Sequence, residues 1–231
     1  PAPAPECASI EFIEFAVSGA EQAKLEAWLG ALGFIPSGRH RSKAVTLYRQ
    51  GEVSIILNAG SDTFAHYYHH LHGLSVCALG LKVDDVPSLL HRADLFGYKR
   101  YQERTGPHEY QMPAVRAPDG SLFHLLDDGY DPALDFEMSG TSAIVPAEIE
   151  RIDHIIRAVP SAQIDSWVLF YRALLGLESD EPVELDDLYG PISSRAAHDR
   201  GNRVRLPLAS SGSDRTVVAR SLSAFAGAGV Y

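Results

Sequence analysis

Cysteine is scarce, with two in 231 residues. With no Cys-x-x-Cys pair, Cys7 in a linker-like start and Cys77 in an apolar strand supply no disulfide framework, and a reducing compartment is expected. Long apolar runs are missing too. None reaches the ~18 residues a membrane span needs, and no basic start precedes a hydrophobic segment as in a secretory leader, so the expectation is a cytoplasmic protein with no membrane partner. Positive charge is in deficit: 20 Lys and Arg against 30 Asp and Glu give a formal net charge of -10, which argues against a nucleic-acid surface. No phosphate-binding glycine loop, nucleophile elbow or Ser-His-Asp set is present. What remains, 45% hydrophobic and 22% charged, is ordinary globular composition, enough for one large domain or two small ones.

What is present is an internal repeat built around the stretch Arg151 to Val159. Apolar residues alternate about His154 as on a strand with one buried face, and this strand is expected to point His154 inward. Ile164, Trp167, Val168, Tyr171, Leu174 and Leu175 then recur at helical spacing up to Gly176. A strand carrying one inward His, followed by a helix, is a plausible metal-ligand cradle, although a single His in a strand is more often core or surface than ligand. Ile10 to Val17 lies over Ile149 to Ile156, which sets Phe15 where His154 falls. Gly73 to Cys77 lies over Gly227 to Tyr231, so a fourth unit is expected to begin at the C-terminal end.

In chain order, residues 1–9 open with Pro1-Ala2-Pro3-Ala4-Pro5 and read as a semi-rigid linker, the start of a piece of something longer. Residues 10–128 form an N-terminal half of two modules with a degenerate metal site. Module one runs from Ile10 to Asn58. It has a first strand, a helix Glu21 to Leu32 with Ala23, Leu25, Trp28, Leu29 and Leu32 buried, and strands Ala44 to Arg49 and Val53 to Leu57, with a further strand near Phe34. Module two has a strand Val76 to Val83, a helix Val86 to Phe96 stopped by Gly97, and a hairpin turning at Pro118-Asp119-Gly120. Between them, His66, His69, His70 and His72 share helix faces at metal-ligand spacing, but no Glu, Cys or third ligand accompanies them, and the segment reads as a solvated aromatic helix. Glu109 and His124 are placed to face a cavity, with a structural role the commoner one for such a His.

Residues 129–148, rich in Gly, Pro, Asp and Ser, are the connector, and residues 149–231 the C-terminal half: a third module and the truncated start of a fourth. Its strands are expected over Pro191 to Ala197 and Val204 to Leu208, with the acidic run Glu178 to Asp187 as a solvated loop.

Several of these stretches together carry a resemblance: Arg39 to Val45, Leu47 to Glu52, His72 to Cys77, Ile152-Asp153-His154, Phe170-Tyr171 with Leu175-Gly176, Val204 to Leu208, and Gly227 to Val230. Over nearly its whole length the chain resembles bacterial 4-hydroxyphenylpyruvate dioxygenases, of the vicinal oxygen chelate group. Pro118 to Leu122, Val115 to Ala117 and Asp165 to Tyr171 look closer still to the dioxygenase-like domain fused behind a 3-dehydroshikimate dehydratase barrel. The resemblance implies an α+β fold of β-α-β-β-β modules paired into half-open barrels. It also implies a divalent metal held by two His and one carboxylate: Fe(II) in a true dioxygenase, with Mg, Mn or Co as alternatives. His154 matches the first ligand, and the other two are expected beyond Tyr231. Ser194 matches the family's pocket serine. Pro207-Leu208-Ala209 matches its Pro-x-Asn except that Ala209 stands where the substrate-orienting amide belongs.

Three functions follow from the resemblance. The chain is part of a dehydratase fusion in shikimate and quinate metabolism, or a genuine dioxygenase forming homogentisate, or a catalytically silent module that stabilises or oligomerises an attached enzyme. The implied partners are a small oxo acid or cyclic carboxylate and a covalently attached upstream barrel, with a homo-oligomer expected. The fragment alone is expected to be inactive.

Overall fold

The computed structural model describes residues 4–107, 109–139 and 149–231. The expected connector therefore lies partly outside the described residues, as do the first three positions of the expected linker.

Module one contains β1 (Cys7–Ala16), α1 (Gly19–Ala31), β2 (Ile35–His40), β3 (Val45–Gln50) and β4 (Val53–Asn58). The first strand thus begins inside the segment read as linker, because Cys7 is an apolar core position, 1% exposed. In the first turn of α1 the Glu21 carboxylate accepts hydrogen bonds from the Ser18 N–H at 2.9 Å and the Ser18 hydroxyl at 2.6 Å. The expected stripe on α1 is corrected: Leu29 is buried, while Trp28 and Leu32 are 67% and 58% exposed. Leu25 and Leu29, four residues apart, reach the cluster of Phe34, Tyr48, Val53 and Ile55, whereas Trp28 and Leu32 lie on the neighbouring, solvent-facing side of the helix.

Next come α2 (Phe64–His72) and module two: β5 (Ser75–Val83), α3 (Val86–Leu95), β6 (Arg100–Tyr101), β7 (Ala114–Arg116) and β8 (Leu122–Leu126). The helix α2 is not wholly solvated, since Phe64, Ala65 and Tyr68 are buried. A short strand β9 (Phe136–Met138), within the expected connector, closes the edge by pairing with β2. The resulting sheet runs β6-β7-β8-β5-β1-β4-β3-β2-β9. Its symmetry is that of a duplicated module: β1 is parallel to β4, β5 is parallel to β8, and β1 and β5 meet antiparallel at the centre.

The third module begins with β10 (Arg157–Ala158) and α4 (Ile164–Phe170), which continues as one π-helical turn, Tyr171–Leu175, capped by Gly176 in the left-handed region at φ 68°. Then follow β11 (Glu178–Ser179), β12 (Val183–Leu185), β13 (Ile192–Arg195), β14 (Ala197–His198), β15 (Leu208–Ser211), α5 (Val217–Phe225) and β16 (Gly229–Val230). The acidic run therefore holds two short strands, and the strand expected at Val204 to Leu208 is displaced to Leu208–Ser211. The second sheet, β12-β13-β15-β10-β16, repeats the first: β10 is parallel to β15 and antiparallel to β16, as β1 is to β4 and β5.

The strand expected from Arg151 to Val159 is regular only at Arg157–Ala158. Its ladder extends further, through Ile155 N–H to Arg205 O at 3.1 Å, Arg157 N–H to Pro207 O at 2.9 Å and Val159 N–H to Ala209 O at 2.9 Å. Both faces of this strand are covered at Ala158 and Val159, but His154, at its start, is not. Ile155, Arg157 and Val159 are buried, and the His154 side chain is 41% exposed. One apolar core, which includes Leu81, Leu89, Phe123, Trp167, Phe170 and Leu174, joins modules two and three.

Candidate functional site

The inner face of the second sheet is defined by register. Ser194 pairs with Ala209, Ala209 with Ala158, and Ala158 with Gly229, so these positions form a row across four strands. Ile156 packs on the cluster of Ala158, Ile192, Ala209 and Val218, and period-two alternation sets His154 on the same side. The structure thus brings Ser194, Ala209 and His154 to one face. Pro207 is buried on β10's flank, where its carbonyl accepts the Arg157 N–H.

His154 is oriented by its neighbour. Asp153 Oδ2 lies 2.7 Å from His154 Nδ1 and 3.1 Å from an Arg205 guanidinium nitrogen, and the hydrogen bond to His154 holds the Asp153 carboxyl below its ordinary range. With Nδ1 as donor, Nε2 keeps a lone pair for a metal or a proton. Among the described residues, no group of three or more His, Cys, Asp and Glu is placed to hold a metal ion.

Strand register also corrects the repeat. Val17 N–H bonds to Asn58 O at 3.1 Å as Val159 N–H bonds to Ala209 O at 2.9 Å, and Ala16 faces Asn58 as Ala158 faces Ala209. Superposing these pairs sets Phe12, not Phe15, over His154, and Asn58 over Ala209. Bulges in β1 against β5 hide this relation from an ungapped sequence comparison. Phe12 pairs with Gly80 and Gly80 with His124, so the first half carries Phe12, Gly80 and His124 in one row.

Phe12 and His124 of that row line a cavity of about 80 Å³. Glu109 and His124 both face it, as the sequence suggested, and Glu14, His40, Lys43 and Asn58 join them. Asn58 Nδ2 donates to Glu14 Oε1 at 2.7 Å, while Gly60 N–H and the Thr63 hydroxyl hold Asn58 Oδ1 at 3.1 and 3.0 Å. Burial pushes Glu14 up to about 7 and His124 down to about 4. Glu14 lies two residues from Phe12, the repeat counterpart of His154, and its side chain was not singled out in the sequence. An acidic residue on the buried side of an apolar strand is the signal that would have found it.

The histidines of α2 have separate engagements. His66 and His70 face each other at 3.2 Å between Nε2 atoms on the exposed side, His69 Nε2 lies 2.6 Å from Glu21, and His72 stacks on Phe225 with its Nδ1 2.8 Å from the Phe225 carbonyl.

Paired β-α-β-β-β modules around central antiparallel strands define the vicinal oxygen chelate fold. Residues 4–137 match the family described as hydroxyphenylpyruvate dioxygenase, N-terminal, and the chain belongs to that family. It is 42% identical to a 3-dehydroshikimate dehydratase of Pseudomonas putida and 43% identical to one of Pseudomonas aeruginosa, over all of this chain and 37% of each relative. The chain thus spans just over a third of those curated relatives. It is 27% identical to a 4-hydroxyphenylpyruvate dioxygenase of Legionella pneumophila (strain Corby), over 95% of this chain and 62% of that protein. Among solved structures, a xylose isomerase-like TIM barrel/4-hydroxyphenylpyruvate dioxygenase fusion protein matches all of this chain with 36% of its own, at a TM-score of 0.84 and 40% identity. A substituted 4-hydroxymandelate synthase from Streptomyces coelicolor shares the fold at a TM-score of 0.79 and 21% identity, over 99% of this chain and 70% of that one. No helix among the described residues is long and apolar enough to cross a membrane.

Proposed function

We propose that this chain is the dioxygenase-like domain of a larger bifunctional protein whose upstream barrel dehydrates 3-dehydroshikimate, in the route from shikimate or quinate to protocatechuate. The observation that carries this reading is the 42% identity over the whole chain to a dehydratase of which it spans 37%. No residue described above is assigned to the dehydration itself.

The domain's own site is read as a partial divalent-metal centre. His154, with Asp153 and Arg205 fixing its ring, fits one position of a two-His, one-carboxylate set. The strand β16 runs antiparallel to β10, with the Tyr231 N–H 3.4 Å from Ile156 O, so in a longer chain the residues after Tyr231 would continue alongside His154. A metal bound there would act as a Lewis acid toward an oxo acid or cyclic carboxylate. The chain's own contribution is to orient the imidazole and to present the Ser194 hydroxyl on the same face.

The pocket serine Ser194 favours a genuine 4-hydroxyphenylpyruvate dioxygenase as the second reading; Ala209 weighs against it. Ala209 is 2% exposed among Ala158, Ile192 and Val218, an apolar patch where the family's amide would hydrogen-bond substrate. A site built around a hydrogen bond loses several kcal/mol of discrimination when the polar partner is gone. The test is an oxygen-electrode assay of the full-length protein with Fe(II), ascorbate and 4-hydroxyphenylpyruvate. Little or no homogentisate is expected. Stoichiometric O2 uptake and homogentisate formation would establish the dioxygenase instead.

A further inference from the structure

The cavity of the first half is formed by two complete modules and stands apart from His154. Three observations mark it as a built site. His124 is 8% exposed, lines the cavity, and its Nδ1 is buried with no hydrogen-bond partner. Glu14 Oε2 stands 3.9 Å from His124 Nε2, beyond hydrogen-bond reach, while Glu14 Oε1 is fixed by Asn58, itself fixed by Gly60 and Thr63. Finally, Gly80 sits opposite Phe12, and a Cβ on it would strike the Phe12 ring, so the absent side chain makes room for the ring beneath His124.

The charge of the lining selects the ligand. Glu14, Glu103, Glu109 and Asp135 face the cavity with Lys43 as the one Lys or Arg among the lining residues. Lys43 lies 3.8 Å from Glu103, and Glu109 lies 3.7 Å from His40 and bonds to the Ser42 hydroxyl. Glu14 faces a neutral imidazole, and the Lys43 charge, already 3.8 Å from Glu103, reaches both Glu14 and His124 without pairing directly with either. An anionic ligand would add charge of the wrong sign, whereas a cation would neutralise the desolvated carboxylate that Glu14 becomes as pH rises through about 7. The rest of the wall, Phe12, Val45, Ile56, Met112, Tyr130 and Phe136, is apolar or aromatic and suits a short hydrocarbon body and an ammonium head. At about 80 Å³, against the roughly 300–1,000 Å³ of sites for drug-sized ligands, the cavity admits a handful of non-hydrogen atoms.

We propose that the first-half cavity binds a compact primary ammonium compound, its head between Glu14 and His124 and its body against Phe12, Ile56 and Phe136. The proposal does not depend on the metal reading of His154.

The experiment is titration of the full-length protein with ethylammonium, acetate and ethanol, followed by ligand-observed NMR and by the ring resonances of His124. Ethylammonium should bind, move the His124 signals, and lose at least tenfold in affinity in Glu14→Gln, an isosteric change whose fold is checked by circular dichroism and Tm. Acetate and ethanol should bind at least tenfold more weakly than ethylammonium. Acetate binding as well as ethylammonium, unshifted His124 signals on ethylammonium addition, or equal ethylammonium affinity in a folded Glu14→Gln protein would each overturn the proposal.

Discussion

Arg157 and Asp119, 38 residues apart, form a buried ion pair, each side chain 2% exposed. Asp119 comes from the module-two turn and Arg157 from the first strand of module three, so the pair bolts the two modules together. The Ser121 hydroxyl stands 3.3 Å from the same guanidinium nitrogen, and the guanidinium carbon lies 4.6 Å from the centroid of the Trp167 ring. The Pro118-Asp119-Gly120 turn is thus a structural clamp.

Removing one partner should be far worse than removing both. Asp119→Asn leaves a buried guanidinium without its counter-charge and is expected to destabilise by about 3–5 kcal/mol, while Asp119→Leu with Arg157→Met recovers much of the loss. Urea unfolding of the single and double variants measures this, and additive losses would show the pair to be uncoupled.

Gly80 is required by the Phe12 ring rather than by backbone conformation. Gly80→Val should force that ring aside, with an overpacking loss of about 1–3 kcal/mol read in Tm. The companion change Phe12→Ala should restore part of it. A Gly80→Val protein as stable as the parent would show that the ring moves freely.

His154→Ala in the full-length protein should abolish divalent-metal retention at this domain, and Asp153→Asn should weaken it by about tenfold or more by releasing the ring. Metal analysis of the separated domains reads both. Unchanged metal content in His154→Ala removes His154 from the site. The same reading expects a His within three residues after Tyr231 in the longer chain, checked by sequencing beyond it.

Glu14 gives a stability profile with a definite sign. Its carboxyl is raised from 4.5 to about 7, so between those values the folded state holds a proton that the unfolded state has lost. Stability from this group is therefore full below 4.5 and falls as pH rises toward 7, by on the order of 3 kcal/mol at about 1.4 kcal/mol per unit. His124, lowered from 6.5 to about 4, acts oppositely: its contribution is full above 6.5 and falls as pH drops toward 4. Glu14→Gln should flatten the decline between pH 5 and 7 in denaturant unfolding, and an unaltered slope would assign it to other groups.

Much of the architecture was legible from periodicity and breakers. Alternation marked β1, β3, β4 and β5, helical spacing marked α1, α3 and α4, and Gly97, Gly176 and the Pro118-Asp119-Gly120 turn marked their ends, because these are local properties of the chain. The repeat was visible too, since both halves solve the same packing problem with similar residues. Which face of a strand is buried, and in what register it pairs, depend on partners distant in sequence. Arg157 can be core only because Asp119 neutralises it. Phe12 matches His154 only because β4 and β15 align Asn58 with Ala209, a relation that the bulges in β1 conceal. Only the pairing of β1 and β8 on either side of β5 set Glu14 beside His124, because cross-strand neighbours are decided by hydrogen-bond register and not by separation along the chain.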